Sequence, residues 1–438
     1  MFIEYHGLSE INGNVIVLDG VESPVYNEIV EISVDGNMPL CGRVIKIDGD
    51  KVVVLVFGST RDFSLTNTRI RLTGQPMHLL LSDEILGRIF DGTGCPIDGM
   101  GQMHKGVKRQ INGKAINPVL RSYPRSCIQT GISAVDGMVT LIQGQKLPIF
   151  TGDGLPHDVL AAQIARQAKI YGAGKCDFVI VFAAMGIKHD TYEFFRRAFE
   201  ESGAKYCMYV NMASDPAIER ILTPRCALTA AEYLAFERDM HVLVIMTDMT
   251  AYAEALREVS SSLGEIPSRK GYPGYLYSDL ASIYERAGLI KGCKGSLTQI
   301  PILTMPSDDI THPVADLTGY ITEGQIVLDR NLHKRGIYPP INILPSLSRL
   351  MKDGIGENRT RPNHPWLANN LFAKYAMVGD ARALASIVGM DELPDEDKRV
   401  LRFGSQFELN FISQGIHENR SMDKTLDIGE RIFLDSFP

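Results

Sequence analysis

The chain has 438 residues, enough for about two to three domains at roughly 100–200 residues each. Hydrophobic residues make up 45% and charged residues 22%, which excludes a disordered, collagen-like or coiled-coil chain. A net charge of −7, from 45 basic and 52 acidic residues, argues against a broad nucleic-acid-binding surface.

The opening MFIEYHGLSE lacks the basic start and long apolar run of a signal peptide. No stretch approaches the roughly 18 apolar residues that span a membrane, so a membrane role is expected only through partners. Seven cysteines, at 41, 95, 127, 176, 207, 226 and 293, include no CxxC pair and read as reduced cytosolic thiols.

Along the first 75 residues, β-branched runs alternate with turns. GRVIKIDGDKVVVLVF (42–57) is two such runs around Asp48-Gly49-Asp50, a hairpin signal. INGNVIVLDG (11–20) and TRIRLTG (68–74) add shorter runs, and together they predict a small barrel or sandwich. Residues 76–125 are rich in Gly and Pro and read as a loop-like linker, notably IFDGTGCPIDGMG (89–101) and INPVLRSYP (116–124).

From about 140 to 345 strands and helices alternate. KLPIFTG (146–152) predicts a strand entering a turn, and 158–170 has helical spacing. DFVIVFAAMG (177–186) is continuously apolar, as a strand buried on both faces must be. TYEFFRRAFEESG (191–203) predicts a helix stopped by Gly203. Further units follow: strand 208–212, helix 229–240, strand 241–249 and helix 250–264. This alternation predicts a parallel α/β sheet. Beyond 345 the strands stop, and helices are expected at 366–378, 381–390 and around 394–412. Asp395, Glu396 and Asp397 suit the N-terminal dipole of the last one.

The strand KLPIF followed by TGDGLPHD and a helix is where a phosphate loop, G-x-x-x-x-G-K-[ST], belongs. With Phe150 and Val159-Leu160 as anchors, Thr151 takes the place of the first Gly and Pro156 that of the second. His157 replaces the Lys and Asp158 the Ser/Thr. Pro156 removes an N–H from a loop that grips phosphate with N–H groups. His157 lacks the fixed positive charge of Lys, and Asp158 puts a carboxylate where the helix dipole favours phosphate. Gly152, Asp153, Gly154 and Leu155 complete this degenerate loop, which is expected to bind nucleotide weakly or not at all. Asp158 offers a magnesium ligand in principle. VLVIMTD (242–248) ends in Asp248, which is either a magnesium-orienting residue or a helix N-cap.

Several long runs carry a family resemblance. They are IQTGISAVDG (128–137), GQKLPIFTGDGLPHDVLAAQIARQA (144–168), the segment 211–260, GYPGYLYSDLASIYERAG (271–288), the segment 296–328 and PPINILPSLSRLM (339–351). Over nearly its whole length the chain resembles the B subunit of the V/A-type rotary ATPases, the non-catalytic partner of the A subunit. The LPHD loop departs from catalytic subunits and from the F-type alpha subunit, whose loop keeps a Lys.

The resemblance implies a β-barrel at 1–75, a central P-loop-type α/β nucleotide-binding domain at 76–345 and a C-terminal α-helical bundle at 346–438. It implies a three-plus-three ring with the catalytic A subunit around a central rotating stalk, and peripheral stalks held through the N-terminal domain. The head lies on the cytoplasmic side, touching the membrane sector only indirectly, and couples ATP hydrolysis or synthesis to proton or sodium transport. ATP or ADP with magnesium is expected at the interface with the catalytic subunit, and this chain is not an enzyme by itself. Ser346-Leu347-Ser348-Arg349 matches the family's arginine-finger motif, so Arg349 is expected to act in trans on the γ-phosphoryl group. Where this fold's hydrolysing sites carry a water-activating carboxylate, Ile187-Lys188 stands instead. Rival readings are a pure scaffold without a trans-acting residue and a self-sufficient ring ATPase.

Other features have structural readings. The tyrosines of RKGYPGYLYSDL (269–280) serve either domain packing or nucleotide contact. Asp308, Asp309 and His312 of PSDDITHP (306–313) read as a solvated loop touching a neighbour or the shaft, and no metal is expected. His333-Lys334-Arg335 reads as a solvated face, and Met305 and Met351 as packing. The chain ends at LDIGERIFLDSFP, where many family members run further, so shortened closing helices are expected.

Overall fold

The computed structural model describes residues 4–34, 40–58, 60–113, 115–172 and 177–437. Met1 to Ile3, Cys176 and Pro438 therefore lie outside the described residues.

The N-terminal segment is a curled seven-stranded antiparallel sheet. Strand Glu28–Val34 alternates buried and half-buried side chains along its length, as period-2 patterning requires. Val30, Ile32, Val44, Val52, Val54, Val56 and Ile70 fill its interior. Each such burial contributes about 1.5–3 kcal/mol. Strands Leu40–Asp48 and Lys51–Phe57 pair with Asp48 opposite Lys51, so Gly49 and Asp50 make the turn and Gly49 adopts φ 67°. Buried Glu28 accepts the Val25 N–H at 2.9 Å and the Gly74 N–H, tying two turns together.

The central sheet has eight strands among the described residues. From one edge they are Ile341–Ser348, Gly324–Leu328, Ile149–Gly152, Ser296–Met305, His241–Thr247, Phe178–Ile187, Lys205–Met212 and Ile89–Asp91. All pairings are parallel except that of the first two. Strand Phe178–Ile187 shows why its sequence is continuously apolar. Ile180, Phe182 and Ala184 enter one core with Phe195 and Phe199, while Val179, Val181 and Ala183 enter the core on the other face. Helix His189–Ser202 covers the first face and ends at Gly203, whose φ of 66° is left-handed.

The C-terminal segment is helical: His364–Val388, Asp395–Gln406 continued by wider turns at Phe407–Ile412, and Met422–Ser436. Phe403, Phe407 and Phe411 recur every four residues and stack, with ring centroids 5.6 and 4.9 Å apart. This end docks on the IQTGISAVDG stretch. Gln414 Oε1 accepts the Ser133 N–H at 3.1 Å, and its Nε2 donates to Gly131 O at 2.6 Å.

Several expectations need correction. Ile89–Asp91, read as loop, is a strand on the sheet edge, and His78–Leu81 pairs with Val107–Gln110 in the same linker. The helix expected from 229 begins at Ala217, because interior Pro224 hid a first half that is buried nearly all round. The segments 366–378 and 381–390 are one helix, since a single exposed-side Gly379 costs only about 1 kcal/mol. The helix from His157 ends at Gln167, and Lys169–Ile170 turns to pair with Ile128 and Gln129. The last strand runs to Ser348, and Pro345 is accommodated because that strand lies on the sheet edge.

Candidate functional site

The strand Ile149–Gly152 and the helix His157–Gln167 hold the loop Gly152–Asp158 between them. Two of its amides are spent inside the loop. The Leu155 N–H donates to Gly152 O at 3.2 Å, and the His157 N–H donates to Leu155 O at 2.8 Å. Pro156, which has no N–H, stands at the N-cap. A phosphate-gripping loop must instead turn such donors outward. Leu155 is buried and Gly154 takes φ 76°. His157 Nε2 lies 3.6 Å from Asp158 Oδ1. Burial pushes the Asp158 carboxyl above its ordinary range, against the pull of His157.

Two residues distant in sequence, both partly exposed, reach over the loop. Arg330 grips Asp308 through two bonds, Nε to Oδ2 at 2.6 Å and Nη2 to Oδ1 at 2.8 Å. The same Nη2 donates to Asp153 O at 3.0 Å. A Cβ placed on Gly152 would meet Asp308 Oδ1 at 1.8 Å. A carboxylate thus sits against the glycine that a phosphate would approach. These residues do not fit a tightly held triphosphate.

PSDDITHP is largely exposed, as a solvated loop is, with only His312 and Pro313 buried, but its charged side chains are paired. Asp308 lies over the phosphate-loop position, Asp309 pairs with Lys270 at 3.1 Å, and His312 is buried edge-on against Tyr272. Tyr272 is packed, with its hydroxyl on Glu254 and the Arg257 guanidinium over its ring, whereas Tyr275 and Tyr277 are exposed. Burial, then Glu254, pushes the Tyr272 hydroxyl well above its ordinary range. His333, Lys334 and Arg335 are all exposed, as expected of a solvated face, and Arg335 in addition reaches buried Glu408, which Arg382 and Tyr375 also contact. Met305 is buried and Met351 packs partly against the core.

Asp248 caps helix Met249–Ser262. Its Oδ1 accepts the Thr250 N–H at 2.8 Å and the Thr304 N–H at 3.1 Å. Burial raises its carboxyl above the ordinary range, against bonds from Thr304 and Thr250 and the charge of His157. Ile187 ends its strand buried in the apolar core. Among the described residues no group of three or more His, Cys, Asp or Glu side chains is placed to hold a metal ion.

Arg349 directly follows the antiparallel edge strand Ile341–Ser348, whose Ser348 pairs with Gly324 at the start of the next strand, so it lies at the N-terminal end of the parallel strands, and it is exposed. Its N–H donates to Glu323 O at 2.9 Å, and Nη1 reaches Thr322 O at 3.3 Å. Among the described residues no carboxylate pairs with its guanidinium. The chain thus brings Gly152–Asp158 and Asp248 to one side of the sheet's C-terminal edge and leaves Arg349 apart from them. Arg330 was missed in the sequence, since its partner is 22 positions away and nothing local marks the pair.

Restoring the two loop residues, Pro156→Gly with His157→Lys, is expected to leave the purified chain without ATP hydrolysis. Arg330–Asp308 still covers Gly152, and Ile187 still offers no proton acceptor. Robust phosphate release by that double variant would contradict this geometry.

The fold and the loop define a P-loop-type α/β chain flanked by a barrel and a helical domain. Residues 8–74 match the ATP synthase alpha/beta family β-barrel domain and 131–348 its nucleotide-binding domain. Residues 353–438 match the C-terminal domain of V and A type ATP synthase. The chain belongs to the family of V/A-type ATP synthase beta chains, also called B subunits. It is 57% identical to the V-type ATP synthase beta chain of Halothermothrix orenii, over 99% of this chain and 94% of that one. It is 55% identical to the B subunit of the A-type ATP synthase of Aeropyrum pernix, over 98% and 93% respectively. A solved structure, described as that of a unique ATP synthase subunit NeqB from Nanoarcheaum equitans, superposes with a TM-score of 0.77 at 42% identity, covering 97% of this chain and 100% of that one. The chain is therefore a subunit of an ATP synthase complex, with a central domain of nucleotide-binding type. No helix among the described residues is long and apolar enough to cross a membrane.

Proposed function

We propose that this chain is the non-catalytic, regulatory member of its complex. It alternates with the catalytic A subunit in a three-plus-three ring and supplies Arg349 in trans to the neighbour's ATP. The observation that carries this reading is the phosphate-loop position, which has no Lys and holds the Arg330–Asp308 pair against Gly152. Support also comes from Ile187, which cannot activate water, and from exposed Arg349, with no carboxylate partner among the described residues.

In this reading ATP or ADP with magnesium sits at the interface on the catalytic subunit, and the loop Gly152–Asp158 holds none tightly. Asp248 acts as a cap. The barrel (1–75) meets peripheral stalks, the central domain (76–345) forms the interfaces and the helical domain (346–438) faces the central stalk. The complex works on the cytoplasmic face, with the membrane sector touched only through other subunits and no nucleic acid bound. It couples ATP hydrolysis or synthesis to proton or sodium transport.

Native mass spectrometry of this chain mixed with its catalytic partner is expected to give a three-plus-three assembly. A hexamer of this chain alone that turns over ATP would support the self-sufficient ring instead.

A further inference from the structure

Lys146 is a buried cation remote from the phosphate loop. Its side chain is 4% exposed, and its ammonium lies 2.7 Å from Glu285 Oε1 and 2.9 Å from Glu323 Oε1. Its main chain holds Glu323 as well. The Lys146 N–H donates to Glu323 Oε2 at 2.8 Å, and the Glu323 N–H donates to Lys146 O at 3.1 Å. A buried ammonium is retained only where such pairing offsets its lost hydration.

What this arrangement fixes is the carbonyl of Glu323. That oxygen accepts the Arg349 N–H at 2.9 Å and Gln145 Nε2 at 3.1 Å. Gln145 Nε2 also donates to Ser348 Oγ at 2.9 Å, and Ser348 Oγ donates to Thr140 O at 2.9 Å. On either side of Glu323, Thr322 O accepts from Arg349 Nη1, and Gly324 runs so close that a Cβ there would lie 2.0 Å from Leu347 O. Residues 322–324 therefore hold Ser348 and Arg349, and Gln145 and Lys146 hold residues 322–324.

We propose that Lys146, Glu323 and Gln145 form a positioning frame that sets the height and direction of Arg349 at the sheet edge. The proposal rests on Arg349 being the trans-acting residue. A guanidinium that acts across an interface needs this support, because a misplacement of about 1 Å can cost on the order of 10²-fold in rate.

Two measurements separate the frame from the role of Arg349. In the full-length chain, Lys146→Met is expected to speed hydrogen exchange of the Arg349 amide about tenfold or more, since the Glu323 carbonyl loses its anchor. In the ring assembled with the catalytic partner, Lys146→Met is expected to lower kcat about 10- to 100-fold while KM for ATP stays within about twofold. Lys146→Arg, which keeps the charge, should recover most of that loss. If Lys146→Met does not assemble, Glu323→Gln keeps the shape, removes the ion pair and carries the same expectations. Unchanged exchange at Arg349, or unchanged kcat beside an inactive Arg349→Ala ring, overturns the frame. Faster exchange beside an active Arg349→Ala ring shows that the role given to Arg349 has failed, and the catalytic purpose of the frame fails with it.

Discussion

Arg349→Ala is expected to lower ATP turnover of the assembled ring by about 10³–10⁵-fold, the range for a neighbour-supplied arginine. The guanidinium is always charged and can bind two phosphate oxygens at once, which suits the charge on a transferring phosphoryl group. Arg349→Lys should restore only part of the rate, because an ammonium cannot make that planar double contact. Assembly should be unaffected. Among the described residues the Arg349 side chain makes one hydrogen bond, to Thr322 O at 3.3 Å, and the main-chain bond to Glu323 survives the substitution. Steady-state hydrolysis with a check of ring stoichiometry is the measurement. Near-normal turnover would favour the pure scaffold.

Glu232→Ala is expected to destabilise the chain by about 3–5 kcal/mol, because it strands a buried charge. Arg286 is 1% exposed, and its Nε and Nη2 donate to Glu232 at 2.7 and 2.8 Å. The remaining donors hold Thr229 Oγ1 at 2.8 Å and Ile111 O at 3.1 Å, so the pair also pins the linker to helix Ala217–Glu232. Glu232→Leu combined with Arg286→Met should be far milder, since removing both partners leaves no unpaired charge. Urea unfolding followed by circular dichroism reads both. A loss under about 1 kcal/mol in Glu232→Ala would mean that Arg286 finds other neutralisation.

Elements governed by local pattern were legible in the residues. The run Phe178–Ile187 is apolar because both faces are buried, and the helix before Gly203 stops where a left-handed residue is needed. Elements fixed by distant partners were not. Three residues, Ile89–Asp91, become a strand only because Lys205–Met212 offers them an edge. Pro224 argues locally against a helix that near-complete burial nevertheless holds together. At the site, the loss of loop Gly and Lys was readable position by position. The Arg330–Asp308 cover was not, since nothing local sets Asp308, which stays exposed, beside Gly152. Arg349 stood out only through its motif and the family resemblance, and the structure adds its lack of a carboxylate partner among the described residues. Arg335 shows the same limit, because Glu408 lies 73 positions away.

The most direct test of the non-catalytic assignment is ATP hydrolysis by the purified chain, alone and after mixing with its catalytic partner. No turnover is expected alone, and activity is expected on mixing. Vigorous hydrolysis by the chain alone would mean that the loop Gly152–Asp158 works without Lys beneath Arg330 and Asp308, and would contradict the non-catalytic assignment.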